Sequence, residues 1–250
     1  MKLLESINHN RREFFKTATK KEKFKYLADY YGFRTIVFLA AVIMATSLII
    51  DACTKPDDIL NGTFINLAQY GREMVAEELA ADFMKDQKID TKKYSALFNS
   101  SMTFSSDAMA DYETHQALMV QMAGGKVDFI VSSHSSLMAY AYDEILVDLT
   151  TILTEEQITK YEPYFLYIDN DIVRQRNESE QSLEELAEYT YPDFKDVENM
   201  KDPVPVLIDF SEMKQIQDLY NSKKLNLAFG IVSSGENKEN AVKFLDYITK

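Results

Sequence analysis

The sequence predicts an α/β fold in which a parallel-sheet domain is preceded by one transmembrane helix. The first observation is an uncharged apolar run over residues 35–50, between a basic arm and a longer acidic segment. The second is that apolar runs of strand length alternate with amphipathic helical patterns over residues 63–132. Because parallel neighbours need helical crossovers, this strand-helix-strand-helix-strand order predicts a parallel sheet with right-handed connections.

The apolar run predicts attachment to a membrane. Its sixteen uncharged residues are fewer than the roughly 20 that cross a hydrocarbon core. Residues 33–34 and 52–53 can extend it by tilt and by snorkelling of the arginine. A single transmembrane helix is therefore predicted over residues 34–53, with membrane lipid as its partner.

Basic residues predict the orientation of this helix. Eight lysines and arginines lie between residues 11 and 34, whereas Lys55 is the only basic residue close to the other end. Because positively charged flanks stay in the cytoplasm, residues 1–33 are expected to form a cytoplasmic basic arm. The rest of the chain is expected to be extracytoplasmic, on a single-pass protein of the cell membrane.

Two alternatives to an uncleaved anchor bear on the same segment. A cleavable secretory signal is disfavoured, because some thirty residues precede the apolar run. A lipoprotein processing site ending at Cys53 suits Ala52 but does not suit Asp51 or the long basic arm. Lipidation of Cys53 therefore stays open beside an uncleaved helix.

Charge and cysteine content narrow the functional classes. The chain has 27 basic and 40 acidic residues, a formal net charge of −13, so nucleic acid is not expected as a partner. Cys53 is the only cysteine, so an internal disulfide cannot form and the exported part must be held by its core. Residues 55–250 suffice for one substantial domain or two small lobes.

The predicted elements follow in order after the anchor. Residues 54–62 are expected to form a linker, and residues 63–250 the extracytoplasmic domain. In its first half the predicted strands are 63–68, 94–98 and 127–132, and the predicted helices are 72–85, 112–123 and 135–142. Gly124 and Gly125 are expected to end the helix over 112–123.

The second half continues with weaker patterns. Strands are predicted at 164–168, 206–209 and 225–232, and helices at 155–161 after a Thr154 cap, 211–220 after a Ser211 cap, and 237–248. Pro203 and Pro205 predict that the strand over 206–209 lies at a sheet edge. The glutamate-rich stretch 174–201 is expected to be a solvated helix and loop.

Two stretches together resemble a known family. Residues 119–153 (MVQMAGGKVDFIVSSHSSLMAYAYDEILVDLTTIL) place Gly125, Asp128 and the pair Asp148-Leu149 as extracellular solute-binding proteins place a glycine-led strand, its aspartate and a later Asp-Leu pair. Residues 229–250 (FGIVSSGENKENAVKFLDYITK) are similar to the closing strand, polar turn and Ala-x-x-Phe-Leu helix of that family. The matching positions cover under half of the exported region.

The resemblance implies a periplasmic-binding type fold that grips a ligand, in a small membrane-anchored member of bacterial origin. It implies transport as the role, with an ABC-type permease or another membrane protein as the partner. The exported region is shorter than a usual two-lobed member, and residues 169–202 are loop-rich where a full second lobe is expected. A reduced second lobe is therefore part of the expectation.

Candidate ligand contacts follow from the direction of parallel strands. Ligands of open α/β sheets lie beyond the carboxyl ends of strands, where helices begin and offer free backbone N–H groups. This rule selects three loops, and the predicted ligand-binding residues in them are Tyr70, Ser100, Ser101, Ser132, Ser133, His134 and Ser135. The serines after the third strand are the strongest group, because hydroxyls and helix-start amides suit carboxylates, phosphates or sugar hydroxyls.

The same residues have plainer interpretations. Ser133 or Ser135 can simply cap the next helix, and His134 can be an exposed loop histidine. His115 is placed on a polar helix face, and Tyr140, Tyr142, Tyr164 and Tyr167 are considered as lining for a cleft.

No catalytic residue, cofactor or metal is expected. The single cysteine and scattered histidines lack a zinc-type spacing, and Asp169-Asn170-Asp171 departs from a calcium loop at its sixth position, Arg174. Motifs for hydrolase or nucleotide chemistry are missing. The expected function is therefore capture of a small polar solute without chemical conversion, the alternative being a degenerate solute-binding fold that serves as a non-catalytic interaction subunit of a membrane complex.

Overall fold

A computed structural model of the chain describes residues 16–67, 73–104, 112–178, 191–220 and 225–250. The chain divides into two compact units, residues 1–55 and residues 56–250.

In the described part of the first unit, residues 16–55, the main element is a long helix, α1 (Lys20–Thr54). It begins with a capping box: Thr19 donates its N–H to Glu22 Oε2 at 2.8 Å, and Glu22 N–H donates back to Thr19 Oγ1 at 3.4 Å. Within α1 the segment Gly32–Ile50 has a mean hydropathy of 2.2, and none of its residues is buried. By length and composition it can cross a membrane, a criterion that an amino-terminal signal sequence also meets.

The second unit contains six strands and seven helices among the described residues. In chain order they are β1 (Asp57–Phe64), α2 (Glu73–Asp86), β2 (Tyr94–Asn99), α3 (Tyr112–Ala123), β3 (Phe129–Ser133), α4 (His134–Tyr142), α5 (Glu155–Tyr161), β4 (Phe165–Asp169), α6 (Asn170–Glu178), β5 (Pro203–Asp209), α7 (Lys214–Leu219), β6 (Leu227–Ile231) and α8 (Lys238–Ile248). Short 3₁₀ turns occur at Leu149–Thr151, Glu162–Tyr164 and Val197–Asn199.

The six strands form one sheet in the order β2-β1-β3-β6-β5-β4. β1 pairs in parallel with both β2 and β3, as the alternation of strands and helices predicts. β6 is antiparallel to β3 and to β5, and β4 is antiparallel to β5. The α/β class is confirmed, and β1, β2, β3 and β5 share one direction while β6 and β4 run the other way.

The first strand begins earlier than predicted. β1 starts at Asp57, so residues 54–62 do not form the expected linker and the sheet domain does not begin at residue 63. Its polar start is tolerated because this end of β1 pairs only with β2, where Ser95 donates to Asp58 Oδ1 at 2.6 Å. Because the first residues of β1 are polar and partly exposed, the apolar pattern of the sequence does not reveal that the strand begins there.

The prediction of β5 as an edge strand is wrong. β5 lies between β6 and β4. Pro203 and Pro205 pair only with β4, opposite Asp169 and Tyr167, whereas the pairing of β5 with β6 begins at Leu207. The prolines therefore lie in the half of the strand that has only one neighbouring strand. Their missing N–H groups do not interrupt hydrogen bonding to a second strand there.

Phenylalanines fill the face of the sheet covered by α2 and α8. Phe244 of α8 lies 4.6 Å from Phe129 and 4.9 Å from Phe98 between ring centroids. The Phe129 ring lies over Gly62 so closely that a Cβ there would come within 2.0 Å of it. The opposite face carries a second cluster that includes Ile130, Leu118, Leu137, Ala228 and Phe194.

Helix boundaries follow local signals. α3 ends in a Schellman motif: Lys126 N–H donates to the Gln121 carbonyl, Gly125 N–H donates to the Met122 carbonyl, and Gly125 has φ +67°. Thr154 and Gln157 form a capping box at the start of α5. Both boundaries confirm the predictions, but Ser211 does not cap α7, which begins after Met213.

Candidate functional site

Four strands end at the same edge of the sheet. Because β1, β2, β3 and β5 share a direction, their carboxyl ends meet there, and β6 starts there. This carboxyl edge is where an α/β sheet offers strand-end side chains to a ligand. Residues 68–72, 105–111 and 221–224 lie outside the described residues.

Ser133 joins β3 to α4 as the helix N-cap. Its Oγ accepts a hydrogen bond from Ser136 N–H at 3.2 Å and lies 3.0 Å from Ser135 Oγ and 2.8 Å from Ser136 Oγ. The capping interpretation therefore holds for Ser133, whose extended φ and ψ are typical of a cap. The Ser135 hydroxyl stays on the exposed side of the same turn.

Asp209, the last residue of β5, lies against this turn. His134 Nε2 is 3.3 Å and Lys195 Nζ is 2.5 Å from the Asp209 carboxylate, and Ser211 donates both its N–H and its hydroxyl to Asp209 Oδ1. Burial raises the pKa of Asp209, but hydrogen bonds from His134, Lys195 and Ser211 outweigh it and hold that pKa well below its usual range. The carboxylate is therefore ionised at neutral pH.

These residues form one polar group at the carboxyl edge. The carboxyl-edge cluster is defined here as Ser132, Ser133, His134, Ser135, Ser136, Lys195, Asp209 and Ser211. Its exposure is graded: the Asp209 side chain is 8% exposed, that of His134 is 20% and that of Lys195 is 61%. The cluster thus extends from a buried carboxylate to a solvent-facing ammonium. It combines a negatively charged acceptor, a positively charged donor and neutral hydroxyl groups.

Ser132 adds a buried hydroxyl whose hydrogen bonding is unsatisfied among the described residues. It is fully buried, and its Oγ has no hydrogen-bond partner among the residues that the structure describes. Ser132 pairs across the sheet with Ala228, which in turn pairs with Asp209. Because directly paired residues point to the same face, the Ser132 hydroxyl and the Asp209 carboxylate lie on one face with only the small Ala228 side chain between them.

The other predicted contacts are not brought to this cluster. Ser100 and Ser101 follow β2, which is separated from β3 by β1, a distance of about 10 Å across the sheet. Ser101 donates its N–H and its hydroxyl to Asn99 Oδ1, and Ser100 is buried. Tyr70 lies outside the described residues.

Sequence reasoning missed Asp209, Lys195 and Ser211. The rule that selects the serines also selects Asp209 once β5 is known to run parallel to β3. That direction depends on two successive antiparallel pairings, which no local pattern encodes. Asp128, a position of the family resemblance, lies at the opposite edge, where it accepts hydrogen bonds from Asn61 N–H and Asn237 N–H.

His115 is not on a polar helix face as expected. Its ring stacks on Phe104 at a centroid distance of 4.0 Å, and its Nδ1 is 2.5 Å from Tyr140 Oη. Burial raises the pKa of the Tyr140 phenol, with the Asp143 carboxylate acting in the same direction. Tyr140 and Tyr142 are core residues, so they do not line an open cleft.

A cleft of about 370 Å³ lies between α5, α7 and α8, lined by Lys160, Tyr161, Tyr164, Met213, Lys214, Gln215, Ile248, Thr249 and Lys250. Tyr164 is therefore the one of the four considered tyrosines that lines it. Two of its three lysines already have carboxylate partners: Lys160 lies 3.2 Å from Asp246, and Lys250 lies 2.7 Å from Asp86. The cleft does not include a member of the carboxyl-edge cluster.

At the acidic turn after β4, the Asp169 carboxylate is already hydrogen-bonded to backbone N–H groups. Asp169 accepts hydrogen bonds from the N–H groups of Asp171, Lys201 and Asp202. Within the described ranges, the structure holds no group of three or more side chains suited to a metal ion. The carboxylate of Asp169 therefore holds the β4–α6 turn to the chain before β5.

Comparison with known proteins gives fold-level similarity only. No family model and no curated protein matches. An ABC substrate-binding protein from Listeria monocytogenes in complex with cycloalternan matches at 16% identity and TM-score 0.28, over 51% of this chain and 35% of that one. This chain thus spans about a third of that protein.

Two further solved structures match over most of their length. A domain described as the substrate-binding part of a molybdenum ABC transporter from Clostridium difficile has 11% identity and TM-score 0.32, over 78% of this chain and 93% of its own. The periplasmic-binding protein AttC from Agrobacterium tumefaciens, open and unliganded, has 10% identity and TM-score 0.34, over 77% and 78%. Overlap this loose transfers neither a site nor a ligand to this chain.

Proposed function

We propose that the second unit captures a small polar solute at the carboxyl-edge cluster and does not convert it chemically. The observation that carries the proposal is the cross-strand row of Ser132, Ala228 and Asp209, which places a buried hydroxyl without a described partner two strands from an ionised carboxylate on the same face of the sheet. A buried polar atom without a hydrogen bond is destabilising, by about 1–3 kcal/mol. A solute that hydrogen-bonds Ser132 would remove that cost.

The remaining members of the cluster supply orientation. The Ser135 hydroxyl and the Lys195 ammonium, which pairs with Asp209, lie on the exposed side and suit an acidic or hydroxyl group of the solute. A molecule that carries both donors and acceptors therefore fits better than an apolar one. Amino acids, polyamines, sugars and phosphate compounds remain the classes to compare.

Binding without reaction is supported by how the polar groups are used. His134 and Asp209 lie within contact distance, as in an acid-base pair, but the Ser133 hydroxyl is directed to the Ser136 N–H and to its neighbouring serines. A nucleophile needs its hydroxyl aligned with the base. The described hydrogen bonds support a recognition surface.

The apolar segment of α1 would keep the binding unit at the membrane. In this proposal residues 34–53 span the bilayer, residues 1–33 remain cytoplasmic as their basic charge predicts, and the unit after residue 55 is extracytoplasmic. A permease or another membrane protein would receive the solute. Lipidation of Cys53 would give the same attachment by another route.

Two features favour a second function. Ser133 already serves as a cap, and the cleft between α5, α7 and α8 lies apart from the cluster. This arrangement suits a solute-binding fold that has lost its ligand and acts as a non-catalytic interaction subunit. The two functions differ in whether a small solute stabilises the protein.

Thermal unfolding of the full chain in detergent distinguishes them. The protein is heated with amino acids, peptides, sugars, polyamines or phosphate compounds at rising concentration. A binder gains RT ln(1 + [L]/Kd), about 2.7 kcal/mol at a hundredfold excess over Kd, so one class is expected to raise the Tm in a dose-dependent way. A cooperative transition that no class shifts would overturn solute capture and leave the interaction subunit.

A further inference from the structure

A short irregular segment lies against the carboxyl-edge cluster. The strap is defined here as residues 191–196, which form neither a helix nor a strand. Phe194 is its only buried side chain, at 2% exposure, and the other residues of the strap are partly or fully exposed. The strap therefore inserts one phenylalanine into the domain and leaves its remaining side chains near the surface.

The strap crosses the cross-strand row of the site. At one end of the row, Lys195 Nζ lies 2.5 Å from the Asp209 carboxylate. At the other end, the Phe194 ring meets the His134 ring edge to face at a centroid distance of 6.1 Å. Phe194 also belongs to the apolar cluster that contains Ala228. Its side chain therefore lies on the same face of the sheet as the row.

This arrangement restricts access to the buried hydroxyl of the site. The Ser132 side chain is fully buried, and only 8% of the Asp209 side chain is exposed. A solute cannot hydrogen-bond Ser132 unless a covering segment moves. The turn at Ser133 is held between β3 and the capped start of α4, whereas the strap has no regular secondary structure to break. Segments of this kind open at a lower free energy than core strands and helices.

Two contacts hold the middle of the strap to the sheet. The Phe194 carbonyl accepts a hydrogen bond from Tyr167 N–H at 2.9 Å, beside the edge strand β4. The Lys195 side chain is 61% exposed, so water and salt weaken its ion pair with Asp209. The ion pair is thus a contact that can be broken without unfolding the sheet.

The strap can move without losing its own structure. Lys195 N–H donates to Asp193 Oδ1 at 2.8 Å, and Asp196 N–H donates to the Asp193 carbonyl at 3.0 Å. These bonds are internal to the strap. Its first residue, Tyr191, stacks on Tyr142 at a centroid distance of 4.4 Å, which can serve as a fixed end while the turn after it swings away.

Release of Lys195 does not leave the Asp209 carboxylate without partners. His134 Nε2 lies 3.3 Å from Asp209 Oδ1, and Ser211 donates both its N–H and its hydroxyl to the same oxygen. These donors remain in place when the strap leaves. The buried charge therefore stays stabilised in the open state.

We propose that the strap opens to admit the solute and that the ion pair between Lys195 and Asp209 holds it closed. The inference rests on the proposed capture of a solute at the carboxyl-edge cluster. In the closed state described here Phe194 and Lys195 cover the row, and in the open state Ser132 is reachable from solvent. Because Phe194 must leave its apolar neighbours, the open state is a minor population, and the apparent affinity for a solute is reduced by that fraction.

The reactivity of a cysteine at position 132 measures this opening without a solute. In the full chain carrying Cys53→Ser, Ser132→Cys supplies the only thiol. Its reaction with methyl methanethiosulfonate, a neutral reagent, is followed by mass spectrometry in detergent. We expect slow modification when Lys195 is present and about tenfold faster modification after Lys195→Met, in proportion to the open fraction. Loss of a positive charge by itself disfavours the reactive thiolate, so a faster reaction reports opening.

Lys201→Met is the matched control, because Lys201 is an exposed lysine that pairs with Asp171. It should leave the rate of modification unchanged. Fast modification with Lys195 in place would show that the strap does not cover Ser132. Equal rates for Lys195→Met and Lys201→Met would show that Lys195 does not hold the strap. Either result would overturn the proposal.

Tryptophan fluorescence gives a second readout that does not need Ser132→Cys to fold. The chain contains no tryptophan, so Phe194→Trp places a single fluorophore on the strap. Acrylamide should quench it more strongly after Lys195→Met but not after Lys201→Met, and equal quenching in all three chains would contradict the proposal. Both readouts are made without solute, so they are separate from the thermal shift. A strap that opens in a protein that no solute stabilises would contradict solute capture and not the movement.

Discussion

Asp209 illustrates how one buried carboxylate organises the candidate site. It ends β5, yet its contacts come from residues far apart in the chain, since His134 lies 75 residues away. Three side chains and one backbone N–H stabilise its charge against burial. The residue is thus both a support for the α4 turn and the acidic part of the carboxyl-edge cluster.

Asp209→Asn should therefore change the pH dependence of stability. A carboxyl group whose pKa is lowered by folding stabilises the protein above its unfolded pKa of about 4, and that contribution is lost as the pH falls through the folded pKa. We expect the variant to lose about 2 kcal/mol at pH 7 and, when the pH is lowered from 7 to about 2, to show a flatter decline of stability below about pH 5. Urea unfolding across this range measures both.

Glu198→Gln serves as the control, because Glu198 is an exposed carboxylate in the same part of the chain. It should leave the free energy of unfolding and its pH slope unchanged. An Asp209→Asn protein with the wild-type slope would show that the Asp209 charge does not stabilise the fold.

Two serines separate capping from binding. Ser133→Ala removes the N-cap of α4 and should lower the free energy of unfolding by about 1 kcal/mol. Ser135→Ala removes an exposed hydroxyl and should leave stability nearly unchanged, but it should weaken solute affinity by about 3- to 10-fold, as the loss of one hydrogen bond does. Titration calorimetry with the solute class that raises the Tm measures the affinity, and unchanged affinity in Ser135→Ala would place the solute elsewhere.

At the scale of helices and strands, local sequence signals predict where an element ends better than they predict which strands pair. The stop of α3 at Gly124 and Gly125 and the Thr154 cap of α5 were both predictable, because the residues responsible lie next to the boundary. The start of β1 and the place of β5 were not, because they depend on which strands pair. The serine turn of the site was predictable because its residues directly follow β3. Asp209 and Lys195 were missed because their place beside this turn depends on long-range pairing.

The end of α3 gives a test at this scale. Gly125 has φ +67°, a conformation that costs a side-chain-bearing residue about 1–2 kcal/mol, and an added Cβ would lie 3.2 Å from the Ser234 carbonyl oxygen. Gly125→Ala should therefore lower the free energy of unfolding by at least 1 kcal/mol. Gly124→Ala, at the neighbouring position without a positive φ, should cost clearly less in the same urea titration; equal losses would argue against the Schellman stop.

For the whole molecule, the proposed topology separates a basic arm from an acidic binding unit. In intact spheroplasts, added protease should digest the unit after residue 55, while a tag at the amino terminus should remain protected. The protein should also stay with the membrane after extraction at alkaline pH. Digestion of the tag with protection of the unit would reverse the orientation, and release by alkaline extraction would contradict a spanning helix.

Hydrogen exchange of the full chain, with and without the solute class that raises the Tm, tests solute capture at the carboxyl-edge cluster most directly. We expect slower exchange of backbone amides at residues 132–137 and 209–212, with little change at the opposite edge around Asp128. Protection confined to residues 160–164 and 213–215, which line the cleft between α5, α7 and α8, would contradict the assignment of the site. No protection in either region would contradict capture of that solute.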